Sequence, residues 1–197
     1  MLLNVDDCQL VLVDYQEKLM PYIFEAEQAV KNAVILGKVA NLLDVPVFGT
    51  VQNEAKLGSN PPAITELCER VLHKMHFNAC EDGLVDWLRP QQRSSGNARS
   101  LPKHLQKPKA PERPTIVLAG CEAHVCLMQT ALGLVEAEFD VWVVTDACSS
   151  RTERNRDAGF DRLAAAGVEL VTTEMVVFEW LHTCEHPNFR EALSLIK

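Results

Sequence analysis

Six short apolar runs punctuate the chain, and most are followed by a segment with helical spacing. Cys8–Val13 (CQLVLV) is a nearly continuous apolar run closed by Asp14, the pattern of a strand buried on both faces. From Ala26 to Leu43, small and aliphatic residues recur at 26, 29, 30, 33, 34, 37 and 40, one face of a helix that Asp44 and Pro46 end. Val47–Val51 predicts a second strand, and a polar loop with Gly and Pro runs from Gln52 to Pro62. A short helix is expected at Ile64–Glu69, a third strand at Arg70–His73 ending near Lys74, and another helix at Glu81–Leu88. Pro90–Pro114 holds Pro, Ser, Gln and basic residues with almost nothing apolar, and predicts a long loop.

The second half repeats the alternation. A strand at Thr115–Ala119 stops at Gly120, and helical spacing begins at Leu127 and runs to about Glu138. Asp140–Thr145 predicts a fifth strand, Arg151–Ala166 a helix stopped by Gly167, and Val168–Val171 a sixth strand. Helical segments at Glu174–Leu181 and from about Pro187 close the chain. Strands alternating with helices mean a mainly parallel sheet covered on both sides, an α/β fold of Rossmann-like type. At 197 residues the chain is expected to be one domain, 1–197, with the Pro/Ser-rich segment at about 90–114 as a loop insert.

Composition narrows the function. A net charge of −8 argues against a chain built as a whole to bind nucleic acid or an anionic membrane. Residues 89–113 run against this balance: seven Lys/Arg and one Glu give +6, which leaves −14 on the rest. The insert reads as a solvated segment, with contact to an acidic partner as its rival; it has no aromatic side chain for base stacking. No apolar run approaches bilayer length and no basic leader precedes an apolar stretch, so a membrane is not expected as a partner. Seven cysteines, at 8, 68, 80, 121, 126, 148 and 184, are an odd number in a chain too long to need staples. They point to a reducing, cytoplasmic setting.

Parallel sheets carry their sites at the carboxyl ends of strands, where strand order reverses. Asp14, Lys74 and the turn before Cys126 all fall at such ends. A carboxylate, an ammonium and a thiol at one crevice suit nucleophilic catalysis: the acid takes the thiol proton and the sulfur attacks a carbonyl or nitrile carbon. At the start of a helix the thiol meets the positive end of the helix dipole, which favours thiolate. Unpaired N–H groups of the turn would stabilise the oxyanion. No G-x-S-x-G elbow offers a serine in its place.

The sequence resembles the isochorismatase-like cysteine hydrolases, and within them the isochorismatase domain-containing branch. The likeness is carried by VLVDYQ at 11–16, VLHKMHFNAC at 71–80, AGCEAHVCLMQTALG at 119–133 and VVTDACSSR at 143–151, with TVQNEAKLG and FEWLHTCEHPNF in support. The resemblance implies a three-layer α/β/α sandwich with a six-stranded parallel sheet in the order 3-2-1-4-5-6. It implies Asp14 as general base, Lys74 as catalytic lysine and Cys126 as nucleophile. A non-proline cis peptide at Cys121–Glu122 would turn an amide toward an oxyanion hole beside Cys126. It also implies a small-molecule substrate, self-assembly as a dimer, tetramer or larger ring, and no cofactor.

The family's nicotinamidases carry an Asp-x-His metal motif after the second strand, whereas VQNEAKLGSN here has no histidine, so no metal is expected. Gln16, Gln52, Phe77 and His124 are the candidate pocket residues. Cys68, His73, His76 and Cys80 have the wrong spacing for the usual paired zinc ligands. The expected reaction is hydrolysis of an amide-type C–N bond through a thioester. Its rivals are vinyl-ether cleavage of the isochorismate type, which needs the acid and the lysine more than the thiol, and a non-catalytic scaffold or binding protein that uses the basic insert.

Overall fold

The computed structural model describes residues 2–89 and 113–197. The expected basic insert at about 90–114 therefore lies outside the described residues except for Arg113 and Pro114. The strands are β1 (Cys8–Val13), β2 (Val47–Gln52), β3 (Arg70–Lys74), β4 (Thr115–Gly120), β5 (Asp140–Val144) and β6 (Glu169–Val171). All pairings are parallel and the order is β3-β2-β1-β4-β5-β6. Every residue of β1, β2 and β4 is buried, as the unbroken apolar runs require.

The helices are α1 (Ala26–Leu42), α2 (Glu54–Leu57), α3 (Pro62–Thr65), α4 (Leu84–Leu88), α5 (Cys126–Glu136), α6 (Glu153–Ala165), α7 (Thr173–Leu181) and α8 (Phe189–Ile196). From β1 the chain crosses through α1 to β2 on one side; from β4 it crosses through α5 to β5 on the other. Right-handed crossovers in opposite directions put α1 and α5 on opposite faces of the sheet. α7 and α8 pack with α1, and α6 packs with α5. The reversal between β1 and β4 opens the carboxyl edge at the middle of the sheet.

Two helix expectations and one loop expectation are corrected. The helix expected at Ile64–Glu69 starts earlier, at Pro62, because a proline suits the first turn of a helix. The polar loop after β2 contains the single turn α2. The helix expected at Glu81–Leu88 is split by Gly83, whose φ of 97° no helix interior tolerates; a 3-10 turn at Ala79–Asp82 precedes it and α4 follows.

The two described ends that flank the insert are fixed at the amino edge of the sheet. Gln9 Nε2 donates to the carbonyls of Leu88 and Arg113, at 2.9 and 2.8 Å. Arg113 Nη1 donates to those of Val5 and Cys8. This edge is opposite the one that holds Asp14 and Lys74.

Four buried cysteines make the fold sensitive to alkali. Burial raises the Cys8 thiol to about 11 and those of Cys121 and Cys126 to about 12, and it pushes Cys148 well above the usual thiol range. The unfolded chain releases these protons near pH 9, while the folded chain keeps them. The stabilisation is thus complete below about pH 9 and is lost as pH rises through the folded values, at about 1.4 kcal/mol per thiol per pH unit. Urea midpoints measured from pH 8 to pH 11 are expected to be flat to about pH 9 and then to fall steeply. A flat profile to pH 11 would show that these thiols ionise without unfolding.

Candidate active site

Asp14 is the first residue past β1. It leaves the strand with φ of 50°, a left-handed conformation that Asp tolerates better than most residues. Beside it, β4 ends at Gly120, where any Cβ would overlap the Val13 carbonyl, so glycine is needed for the two strand ends to meet. The Asp14 carboxylate is fully buried. Oδ1 accepts a 2.7 Å hydrogen bond from the Thr50 hydroxyl in neighbouring β2. Oδ2 lies 2.8 Å from the Lys74 ammonium, with neither side chain exposed.

Lys74 ends β3 opposite Gln52 at the end of β2. Its ammonium donates to Gln52 Oε1 at 2.6 Å and, at longer range, to the carbonyls of His76 (3.3 Å) and Phe77 (3.4 Å). The 2.8 Å approach to Asp14 Oδ2 is off the directions of a hydrogen bond, and Oδ2 has no donor among the described residues.

Cys126 opens α5 across the switch point. Asp14 and Lys74 are the two charged side chains that act on its sulfur. Cys126 is buried as well, at 7% exposure against 0% for Asp14 and 2% for Lys74, which makes it the least enclosed of the three residues. Burial first, and then the Asp14 charge, push the thiol up to about 12 against the pull of Lys74. Desolvation thus outweighs the influences that favour thiolate, and the expected step, in which Asp14 takes the thiol proton, starts from a thiol.

The turn leading to Cys126 contains a cis peptide bond at Cys121–Glu122. The N–H groups of Cys121, Ala123, Val125 and Leu127 have backbone acceptors. Those of Glu122, His124 and Cys126 have none among the described residues. Glu122 is held on Arg151 by a paired contact of 2.9 to 3.2 Å, which keeps its carboxyl below the usual range. His124 Nδ1 lies 2.9 Å from Ser150 Oγ.

Two of the expected pocket residues make hydrogen bonds inside the protein. The Gln16 amide donates to the carbonyls of Gln52 and Gly58, and its Oε1 accepts from the Gln52 N–H. The Gln52 amide donates to Met75 O while its oxygen takes Lys74. Both side chains are buried and fully engaged inside the protein, because strand ends leave backbone groups that only such amides can satisfy. Phe77 is half exposed and meets Lys74 only through its carbonyl.

The set Cys68, His73, His76 and Cys80 does not converge. His73 pairs with Glu54, His76 with Asp82, and the two thiols turn to the carbonyls of Ile64 and Thr130. Among the described residues no group of three or more His, Cys, Asp or Glu side chains is placed to hold a metal ion. A concavity of about 440 Å3, lined by Glu25, Gln28, Asp146, Arg156 and Asp157 among others, contains none of Asp14, Lys74 or Cys126. Its Arg156 is already paired with Glu25 and Asp157.

Residues 8–175 match the isochorismatase domain as a family. The chain belongs to the isochorismatase family. Isochorismatase domain-containing protein 2 of Rattus norvegicus is 31% identical over 188 residues, covering 95% of this chain and 80% of the rat protein. Among solved structures, the MAR1 ribonuclease of Caenorhabditis elegans superposes with a TM-score of 0.84 at 27% identity, over 100% of this chain and 92% of the other. The YcaC gene product of Escherichia coli, an octameric hydrolase of unknown specificity, gives a TM-score of 0.81 at 25% identity, with 100% and 89% coverage. The isochorismatase sheet order is the one seen here, and membership supports a hydrolase. No helix among the described residues is long and apolar enough to cross a membrane.

Proposed function

We propose that the chain is a cysteine hydrolase that cleaves an amide-type C–N bond of a small molecule, acting as one isochorismatase domain. The observation that supports this reading is the meeting of three strand-end and helix-start groups: Cys126 at the start of α5 under the influence of the buried Asp14–Lys74 pair, and the least enclosed of the three. As the sulfur attacks the carbonyl carbon, the S–H proton passes to Asp14, and the C–O π pair moves onto oxygen. The unpaired N–H groups of Glu122, His124 and Cys126 are the donors available to that oxyanion. Collapse of the intermediate expels the amine, which takes the proton from Asp14, and water then cleaves the thioester. Lys74 lies 2.8 Å from Asp14 and offsets the charge of its carboxylate.

A small substrate fits this geometry better than RNA does, although a structural relative is a ribonuclease. Both charged groups are sealed under the sheet edge, and outside 89–113 the chain carries −14, which repels a phosphate backbone. All seven cysteines are free thiols, which supports a cytoplasmic setting. Self-assembly is supported by the octameric YcaC protein and by exposed Tyr22, Met75 and Phe77.

A panel of small carboxamides assayed for amine or ammonia release, with mass spectrometry of rapidly quenched samples, tests the reading. At least one amide is expected to turn over and to leave an acyl group on Cys126, with both signals absent in a folded Cys126→Ala variant. Undiminished hydrolysis in that variant would remove the nucleophile and favour vinyl-ether chemistry.

A further inference from the structure

The two oxygens of Asp14 are not equivalent. Oδ1 is filled by the Thr50 hydroxyl, while Oδ2 is buried, lies 2.8 Å from a cation and still has no hydrogen-bond donor among the described residues. A bare carboxylate oxygen beside an ammonium normally captures one of its protons. Here the three ammonium protons have other acceptors: Gln52 Oε1 at 2.6 Å and the carbonyls of His76 and Phe77. Gln52 is itself anchored, since its amide nitrogen donates to Met75 O at 2.7 Å and its backbone N–H to Gln16 Oε1 at 2.8 Å. The ammonium is thus held beside Oδ2 by acceptors other than Oδ2.

Resting on the nucleophilic reading of Cys126, we infer that Oδ2 is the atom of Asp14 that takes the thiol proton, and that Thr50 and Gln52 are positioning residues which keep it vacant. Thr50 occupies Oδ1 and so fixes the rotation of the carboxylate. Gln52 draws the Lys74 ammonium along its own amide, so that the cation neutralises the carboxylate without hydrogen bonding to Oδ2. The step balances simply: the S–H bond breaks, an Oδ2–H bond forms, and the sulfur pair forms the bond to carbon. The same proton later leaves Oδ2 for the departing amine.

An activated ester tests this without relying on the amide substrate. Acetylation of Cys126 by p-nitrophenyl acetate at pH 7.5 releases nitrophenolate in a stoichiometric burst, and the adduct is read on the Cys126 peptide. In Gln52→Met, which keeps the shape but accepts poorly, the ammonium is expected to settle on Oδ2 and the burst rate to fall about tenfold. Half-saturation by ester should not change, since the Gln52 amide faces inward. Thr50→Val is expected to fall by a similar factor, and Thr50→Ser, which restores the hydroxyl, to recover most of the loss. Circular dichroism and thermal melts confirm that each variant is folded, and Gln52→Met carries the test if Thr50→Val is not.

Wild-type burst rates in folded Gln52→Met and Thr50→Val would overturn the inference. So would raised half-saturation with an unchanged maximum, which would put Gln52 on the ligand, or a Thr50→Ser as slow as Thr50→Val. A wild-type chain that forms no acetyl adduct on Cys126 would remove the nucleophile and the inference together. A normal burst with no amide turned over would sink only the amide reading.

Discussion

Lys74→Met is expected to cost about 3–5 kcal/mol of stability, far more than a surface ion pair is worth, and to abolish turnover. The reason is the asymmetry of the buried pair. With the ammonium gone, Asp14 keeps a single donor, the Thr50 hydroxyl, for a charge with no access to water. Lys74 in the opposite variant, Asp14→Asn, keeps three acceptors in Gln52, His76 and Phe77. Stranding the ammonium is therefore expected to cost less than stranding the carboxylate. The double variant, which buries no net charge at the site, should regain most of the stability lost in Lys74→Met while remaining inactive. Urea unfolding of all three at pH 7.5 measures this. A Lys74→Met protein within about 1 kcal/mol of wild type would show that the pair is hydrated and contributes like one at the surface.

The same asymmetry explains why a hydrolase retains a buried ion pair at all. Replacing such a pair with apolar side chains is often neutral or stabilising, so it is weak evidence for a structural role. What an apolar pair could not provide is a carboxylate acting on Cys126, with one oxygen that has no hydrogen-bond donor among the described residues.

Much of this was legible in the chain because it rests on strand ends. A parallel strand buried on both faces reads as an unbroken apolar run, and the first charged residue after it marks the carboxyl edge; Asp14 was found in this way. Lys74 and Cys126 followed from the same logic, and the motifs around them carried the family resemblance. Roles that depend on neighbours across the sheet were not legible. Thr50 sits inside the VFGTVQ run of β2, where a lone hydroxyl looks like any β-former, and only the register Val13 with Thr50 sets it beside Asp14. The hold of Gln52 on Lys74 was hidden as well: its polarity was visible but its partner, 22 residues away, was not. The height of the Cys126 thiol was not legible for a related reason: the helix start is local and readable, whereas desolvation comes from the whole packed edge. The bounds of α3 and α4 failed on signals that were present, Pro62 at a first turn and Gly83 with positive φ.

Asp14→Asn should separate the nucleophile's acidity from its reactivity, because the two are expected to move in opposite senses. Apart from desolvation, the largest influence holding the Cys126 thiol up at about 12 is the Asp14 charge, and Lys74 pulls the other way. Removing the carboxylate deletes a raising influence and leaves the lowering one, so the thiol of the variant must titrate below its position in the wild type. Thiolate absorbance near 240 nm, taken as the difference from the same background carrying Cys126→Ala, should therefore rise at lower pH. If thiolate supply limited the reaction, the variant would be the faster enzyme. Asn has no basic oxygen to take the proton or return it to the departing amine, so turnover is expected to fall by about a hundred- to ten-thousandfold at every pH. A variant that is both more acidic at Cys126 and active would recast Asp14 as an electrostatic anchor for Lys74, with the proton going directly to water or to the substrate.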